Sequence, residues 1–182
     1  MREYTLASYD ERFHGVFVRE RAKLKKILPF ATEVEHFGST AVPGLKGKGI
    51  LDVYVLVPKN KILLSKKKLI ESRYTFYNVK RMGNGLKMVF RKTYRYAGKT
   101  RKVNLHLGTV GAKDFEKCLT FRDNLRNSKN LCREYERVKN LAIRKTKNSG
   151  EDSKENSRIY VKAKESFIKN YTKRTRAART AY

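Results

Sequence analysis

The N-terminal part of the chain begins with a pattern of apolar positions at helical spacing. This pattern runs from Phe13 to Leu28 and predicts a first helix. Ser8 or Asp10 is a suitable cap at its start, and Pro29 lies at its end. The sequence therefore predicts that a helix precedes the first strand.

Two strands joined by a glycine-rich segment are predicted next. Residues 33–37 alternate apolar and charged positions, whereas residues 50–57 are apolar at nearly every position except Asp52 and Tyr54. Such a run is typical of a strand buried on both faces. Period two places Ile50, Asp52, Tyr54 and Leu56 on one face and Leu51, Val53, Val55 and Val57 on the other. A carboxylate there is costly unless it is paired, protonated or bound to a cation, so Asp52 requires an explanation.

The middle of the chain alternates between a helix and further strands. Its patterns predict a helix over 59–72, a short strand over 74–79 and a turn at Gly83-Asn84-Gly85. A hairpin then pairs 86–96 with 102–107 around the turn 97–100.

From about residue 114 the pattern becomes helical. Stripes of apolar residues predict helices after 114, after 128 and from about 158, with a polar loop over 148–157 and a mobile basic tail within 173–182. This order predicts an α/β (α+β) fold, in which helices flank a small mixed sheet and a helical part follows. The length favours a single domain over residues 1–182.

The predicted hairpin combines basic and aromatic residues. Phe90, Tyr94 and Tyr96 interleave with cations. On a sheet, this mixture can stack bases and hold phosphates. The alternative is a solvated basic face with the aromatic residues in the core. The cations are Lys87, Arg91, Lys92, Arg95, Lys99, Arg101 and Lys102.

The charge of the chain is strongly positive. Lys and Arg number 44 against 17 Asp and Glu, for a formal net charge of +27. This excess favours a polyanionic partner such as RNA or other nucleic acid, although a generally basic surface is the alternative. The basic residues are spread along the chain, so composition alone does not locate a groove.

Membrane and extracellular classes are disfavoured by the sequence. No apolar run approaches the roughly 20 residues that cross a bilayer, and the N-terminus lacks the layout of a secretory signal. Cys118 and Cys132 are the only cysteines, which excludes a disulfide framework. We therefore expect a cytoplasmic protein without a membrane partner.

The segment between the two strands has the composition of an anion site. In Gly38-Ser39-Thr40, the glycine lets backbone amides approach an anion and the two hydroxyls add donors. Lys46 and Lys48 make the segment cationic. A tight turn with a solvated loop is the alternative interpretation.

Longer strings in this region resemble a known family. Residues 36–45 (HFGSTAVPGL), with Lys48 and residues 50–53 (ILDV), resemble the GrpB family, which is assigned to the nucleotidyltransferase superfamily. Gly38-Ser39 followed by Asp52 is also similar to the first half of the DNA polymerase beta-type signature. The Gly38-Ser39 dipeptide alone is a weak signal, but the string over residues 36–45 is specific.

The resemblance continues towards the C-terminus and spans roughly residues 8–170. Residues 104–107 (NLHL) resemble a family strand in which Asn104 replaces a histidine, and residues 119–126 (LTFRDNLR) resemble its helix motif. These matches imply a wider pocket that contains His36, His106, Arg122, Asp123 and Lys164.

The resemblance implies Mg²⁺-dependent transfer of a nucleotidyl group. Asp52 is then the catalytic residue and metal ligand, and a nucleoside triphosphate or other nucleotide is the ligand. The phosphates are expected to contact Gly38, Ser39, Thr40 and Lys48.

One departure from the superfamily pattern leaves catalysis open. The superfamily places a second acid two residues after the first, where this chain has Tyr54. A phenol is neutral at pH 7 and is a poor magnesium ligand. Glu35 and Asp123 are candidates for another acid, Glu35 only if the strand directs it inward. Two hypotheses follow: a transferase that acts on an unidentified acceptor, or a catalytically degenerate module that binds nucleotide or RNA.

Overall fold

The computed structural model describes residues 6–82, 85–148 and 153–180, which form five strands and five α-helices. Short 3-10 turns lie at Ser39–Ala41 and Lys59–Lys61. The elements in chain order are α1 (Phe13–Ile27), β1 (Glu33–Phe37), β2 (Ile50–Val57), α2 (Ile62–Glu71), β3 (Thr75–Met82), β4 (Gly85–Tyr96), β5 (Lys99–Thr109), α3 (Lys113–Asn127), α4 (Lys129–Asn148) and α5 (Ser153–Thr180).

The strands form one mixed sheet in the order β1-β2-β5-β4-β3. β2 and β5 are parallel, and every other neighbouring pair is antiparallel. Since β2 has a neighbour on each side, it lies inside the sheet and its apolar run is buried. The prediction of a small mixed sheet flanked by helices is confirmed.

The two faces of β2 are those that period two predicts. One face packs against α1 and α2, and we call it the α1 face; its buried β2 residues are Leu51, Val53, Val55 and Val57. The opposite face, called the Asp52 face, contains Asp52 and Tyr54. Strand register places Phe37 and Asn104 on either side of Asp52 on this face. Asp52 therefore lies on a central strand, between β1 and β5.

Helices α3, α4 and α5 enclose the segment between β1 and β2. Val42 and Leu45 of that segment are buried against Phe121 of α3 and Tyr135 of α4, and Phe167 of α5 packs on the same cluster. The glycine-rich segment is thus held by apolar contacts to three helices, which fixes its position relative to the sheet.

Several predicted boundaries differ from the structure. α4 extends to Asn148 and α5 begins at Ser153. All described residues of the predicted loop 148–157 are therefore helical, and residues 149–152 lie outside the described part. The start of α5 is polar over residues 153–158, and its apolar residues begin at Ile159 and Tyr160. The predicted mobile basic tail is helical through Thr180.

The predicted turns at the two ends of β4 have different outcomes. The turn between β4 and β5 is confirmed but shorter than 97–100, because only Ala97 and Gly98 connect the strands, both with positive φ as a tight hairpin turn requires. In the predicted Gly83-Asn84-Gly85 turn, residues 83–84 lie outside the described residues. No helix in the described ranges is long and apolar enough to cross a membrane.

Candidate nucleotide site

Asp52 lies half-buried at the centre of the Asp52 face. The side-chain amide of Asn104 donates a hydrogen bond to Asp52 Oδ1 at 3.1 Å. Burial raises the pKa of Asp52, while the charge of Lys164 and the Asn104 hydrogen bond act in the opposite direction. The cost of this carboxylate inside a strand is therefore reduced by one hydrogen bond and a nearby cation.

Gly38 brings the backbone of the turn directly against Asp52. Its φ of 74° and ψ of −169° belong to a region that is essentially restricted to glycine. A Cβ at this position would overlap Asp52 Oδ2 and lie 3.1 Å from the Asp52 Cβ and Cγ atoms. The glycine is thus required both by backbone conformation and by the close approach to the carboxylate.

The glycine-rich segment folds back over the turn. Ser39 Oγ lies so close to Gly47 that any Cβ at Gly47 would overlap it. Lys48 follows Gly47 immediately, so the segment brings its cation near the beginning of the turn. Gly38, Ser39 and Lys48, which the sequence predicts as phosphate contacts, are therefore near one another in space.

Thr40 and His36 stabilise the turn from the α1 face. The Thr40 hydroxyl donates to the Ile50 carbonyl oxygen at 3.1 Å and lies 2.9 Å from His36 Nε2. Because a hydroxyl has one proton, His36 must be the donor in the second hydrogen bond. Thr40 is buried and is occupied by these two contacts.

His36 and Asp52 lie on opposite faces of the sheet. The His36 ring stacks on Phe17 of α1 with 4.9 Å between centroids. Burial lowers the pKa of His36 to about 3, and the charges of Arg126 and Arg122 act in the same direction. His36 is therefore neutral at pH 7, and the structure does not bring it together with Asp52.

Lys48 and Lys164 converge on the ring of Tyr160 in α5. The ammonium nitrogen of Lys48 lies 3.7 Å from the ring centroid, and that of Lys164 lies 5.4 Å from it. Burial, followed by the charge of Lys164, lowers the pKa of Lys48 to about 7. The charge of Lys164 also acts on the pKa of Asp52, so the positive charge at the Tyr160 ring extends its influence to this carboxylate.

Lys139 of α4 is a third lysine in this region. Its side chain is buried, its ammonium group donates to the Lys46 carbonyl oxygen, and burial lowers its pKa to about 8. The sequence pattern alone does not indicate a functional role for this residue. The available signal was its position four residues after Tyr135, on the apolar stripe of α4, where a lysine is unusual. Lys48, Lys139 and Lys164 are called the lysine cluster below.

Arg122 connects α3 to β1 through charged and backbone contacts. Its guanidinium donates at 2.8 Å to Glu35 Oε2, to the His36 carbonyl oxygen and to Asp123 Oδ1. The hydrogen bond from Arg122 lowers the pKa of Asp123. Glu35 is opposite Tyr54 in the register and so lies on the Asp52 face. The regular pairing of β1 with β2 directs it to this face, without an additional bend in the strand. Both candidate acids are paired with Arg122.

Tyr54 fills the place where the superfamily pattern has its second acid. Its side chain is fully buried, with the Phe115 ring of α3 at 5.2 Å and the His106 ring at 5.9 Å. Burial, followed by the charge of Asp114, raises the pKa of Tyr54 far above its ordinary range. Asp114, at the start of α3, pairs with Lys87 at 2.9 Å. An aromatic core occupies this position.

The donor groups decide which metal arrangement fits. Among the described residues, no group of three or more His, Cys, Asp or Glu side chains could hold a metal ion. Asp52 alone does not fit a site that holds two metal ions on protein carboxylates. It does fit a single Mg²⁺ that arrives with phosphate oxygens and water, because such an ion needs only one or two carboxylates.

Comparison with known proteins identifies relatives of the chain. The GrpB protein family model matches residues 3–174. A UPF0157 protein of Halalkalibacterium halodurans is 31% identical over 139 residues, which cover 74% of this chain and 67% of the relative. A UPF0157 protein of Streptomyces coelicolor is 30% identical over 178 residues, which cover 97% and 87% respectively.

Solved structures show the same fold. The crystal structure of GrpB from Enterococcus faecalis matches with a TM-score of 0.65 and 24% identity, over 92% of this chain and 99% of that one. Cid1, which has RNA terminal uridylyl transferase activity, matches with a TM-score of 0.54 and 19% identity, over 79% of this chain and 43% of Cid1. At these identities the similarity shows the fold, which is of the nucleotidyltransferase type. From the family match and the two relatives, this chain belongs to the GrpB family.

Proposed function

We propose that the chain binds a nucleotide, with its phosphates between the Gly38-Ser39 turn, Asp52 and the lysine cluster. The observation that supports this most strongly is the convergence of three lysines beside the glycine-rich segment: Lys48 and Lys164 lie at the Tyr160 ring, and the buried Lys139 donates to the Lys46 carbonyl oxygen. The lowered pKa values of Lys48 and Lys139 agree with this concentration of positive charge. A polyphosphate fits the lysine cluster, because its oxygens form charge-assisted hydrogen bonds with ammonium groups.

The proposed ligand is a nucleoside triphosphate with at most one bound Mg²⁺. On the Asp52 face, Glu35 is paired with Arg122 and Asp114 with Lys87, whereas Asp52 accepts a hydrogen bond from the neutral Asn104 amide. When bound, the ion would neutralise phosphate charge and orient the phosphates. We also propose a cytoplasmic location, where nucleotides and RNA are both present.

Substitution of Lys164 tests nucleotide binding. Lys164→Gln is expected to weaken binding of a fluorescent ATP analogue by about tenfold or more, since a charge-assisted hydrogen bond contributes about 1.5–3 kcal/mol. Lys162→Gln on the same helix is the matched control, because Lys162 is exposed. Equal affinities of the two variants, or no binding by the unmodified protein at millimolar ligand, would contradict the proposal.

Binding is expected to weaken as the pH rises. Lys48 has a pKa of about 7 in the free protein, so above pH 7 it must take up a proton before it can pair with phosphate. Affinity for the ATP analogue should fall on the order of tenfold or more between pH 6.5 and pH 9. Lys48→Met should bind weakly with a flatter pH profile. An unmodified protein with constant affinity over this range would show that Lys48 does not contact the phosphates.

Nucleotidyl transfer to an acceptor is the second candidate function. The position of Asp52 beside Gly38-Ser39, on a fold of the nucleotidyltransferase type, favours it. RNA is the acceptor to test first, because the net charge of +27 favours a polyanion.

An assay with labelled nucleotide separates transfer from binding alone. The protein is incubated with α-labelled nucleoside triphosphates, Mg²⁺ and total RNA, in parallel with Asp52→Asn. Transfer of label that is lost in the variant supports a transferase. Nucleotide binding without transfer in the unmodified protein supports the catalytically degenerate module.

A further inference from the structure

We infer that the exposed part of the Asp52 face on β3, β4 and β5 binds single-stranded nucleic acid. This surface adjoins the nucleotide site but shares no residue with it, and the inference does not require that site to bind or react. We call it the outer face. It consists of Tyr77, Arg91, Thr93, Arg95, Thr100 and Lys102.

The strand register defines the outer face. Asp52 pairs with Asn104, and Asn104 pairs with Arg91, so these three residues form one row across the sheet. The next row towards the hairpin turn contains Lys102 and Thr93. Residues opposite each other in neighbouring strands project from the same face. The outer face is therefore continuous with the surface around Asp52, and Arg91 lies two strands, roughly 10 Å, from it.

The charge of the outer face is positive and is not neutralised by acids. Arg91, Arg95 and Lys102 are exposed, and none of them belongs to an ion pair among the described residues. The sequence contains no Asp or Glu between Glu71 and Asp114, a stretch that includes all three strands. Such a surface complements a chain of phosphates.

A stacked pair provides a planar group on the same surface. The guanidinium carbon of Arg91 lies 3.3 Å from the ring centroid of Tyr77, whose side chain is 54% exposed. Bases stack on aromatic rings and on arginine planes without strong sequence preference. Together with the exposed threonine hydroxyls, this pair gives the outer face contacts for bases as well as for phosphates.

The hairpin aromatics that the sequence suggests for base stacking, Phe90, Tyr94 and Tyr96, are not part of the outer face. Phe90 is fully buried on the α1 face. Tyr94 and Tyr96 pack beside α1, where Lys23 and Arg19 lie 4.8 Å and 5.0 Å from their ring centroids. Phe90 thus lies in the core, Tyr94 and Tyr96 pack against the core while partly buried, and Tyr77 of β3 is the aromatic residue of the outer face.

The shape of the outer face favours a single strand over a duplex. It is an open sheet surface that presents no helix for insertion into a major groove. Unpaired bases can lie flat against such a surface, and their phosphates can reach the cations at its margins.

Neutralising the outer face tests the inference. The triple variant Arg91→Gln, Arg95→Gln, Lys102→Gln is compared with Arg21→Gln, Lys25→Gln, Lys26→Gln on α1, which removes the same number of exposed positive charges. The probe is a fluorescein-labelled 20-nucleotide RNA of mixed sequence, and anisotropy is measured over a range of salt concentrations. The outer-face variant should bind more weakly than the α1 variant. Its log–log salt slope should fall by about 2, since each single-strand phosphate contact contributes roughly 0.7.

Three results would overturn the inference. The first is equal RNA affinity of the two triple variants, and the second is equal or tighter binding of a 20-base-pair duplex by the unmodified protein. The third is an outer-face variant that loses binding to anionic vesicles but retains its binding to RNA. Titration of both variants with the ATP analogue separates this test from the proposed function. Unchanged nucleotide binding shows that the outer-face variant is folded and that only the RNA surface was altered. RNA binding that requires the outer face would stand even if the unmodified protein bound no nucleotide.

Discussion

Gly38→Ala is expected to destabilise the protein by about 2–6 kcal/mol and to displace the Asp52 carboxylate. The glycine-restricted backbone conformation contributes about 1–3 kcal/mol, and the overlap between the new methyl group and Asp52 adds about 1–3 kcal/mol. The overlap arises because Gly38 lies directly against Asp52 Oδ2. Urea denaturation measures the loss of stability, and titration with the ATP analogue measures the accompanying loss of affinity.

Gly44→Ala is the matched control for this substitution. Gly44 has a φ of +77°, close to that of Gly38, but no atom lies within 4 Å of a Cβ built there. Gly44→Ala therefore incurs the cost of placing alanine at positive φ but creates no clash, and this variant should retain its affinity for the ATP analogue. If both variants lose the same stability and the same affinity, the close approach of the turn to Asp52 has no special role.

Tyr54→Asp is expected to unfold the protein or destabilise it by about 4 kcal/mol or more. Removal of a buried aromatic side chain costs about 3–5 kcal/mol, and a carboxylate in its place is buried beside a single cation, Lys87, which is already paired with Asp114. Asp114, whose charge already raises the pKa of Tyr54, would repel the new acid. We therefore expect that this substitution does not restore the second acid of the superfamily pattern, because the surrounding core packs around an aromatic ring.

Tyr54→Phe separates the ring from its hydroxyl. It retains the contacts with Phe115 and His106, so its free energy of unfolding should stay within about 1.5 kcal/mol of the unmodified protein. Thermal denaturation of the two variants provides the comparison. A Tyr54→Asp protein with near-normal stability and new Mg²⁺-dependent transfer would show that the site is one carboxylate away from a two-metal centre.

The sequence was most informative where local periodicity determines the structure. The apolar run in β2 correctly predicts both faces of the strand, and its one acid lies on the face opposite the α1 core, as period two predicts. Period two also separates the exposed Arg91 from the buried Phe90. Periodicity does not show which of these two faces is covered, because that depends on the packing of α1 against strands that are distant in the sequence.

Tertiary contacts explain what the sequence did not predict. Thr40 has the right chemistry for phosphate, but its hydroxyl closes the turn through Ile50 and His36. Glu35 has the right chemistry for magnesium, but α3 brings Arg122 to it. Each of these assignments depends on a partner distant in sequence, which spacing alone does not reveal.

Lys139 illustrates a different limit. A lysine on an apolar stripe is ordinarily read as a boundary of the stripe, since its ammonium group usually reaches solvent. Here the ammonium group turns inward to the Lys46 carbonyl oxygen, because α4 packs against the glycine-rich segment. The lysine cluster therefore emerges only when three separate parts of the chain are brought together.

A crystal structure of the protein with Mg²⁺ and a non-hydrolysable ATP analogue tests the central claim most directly. We expect phosphate oxygens at about 3 Å from the ammonium groups of Lys48 and Lys164, the Gly38-Ser39 backbone against the phosphates, and no more than one Mg²⁺, on Asp52. A nucleotide bound away from the lysine cluster, or a site that stays empty at millimolar ligand in solution and in the crystal, would contradict the account.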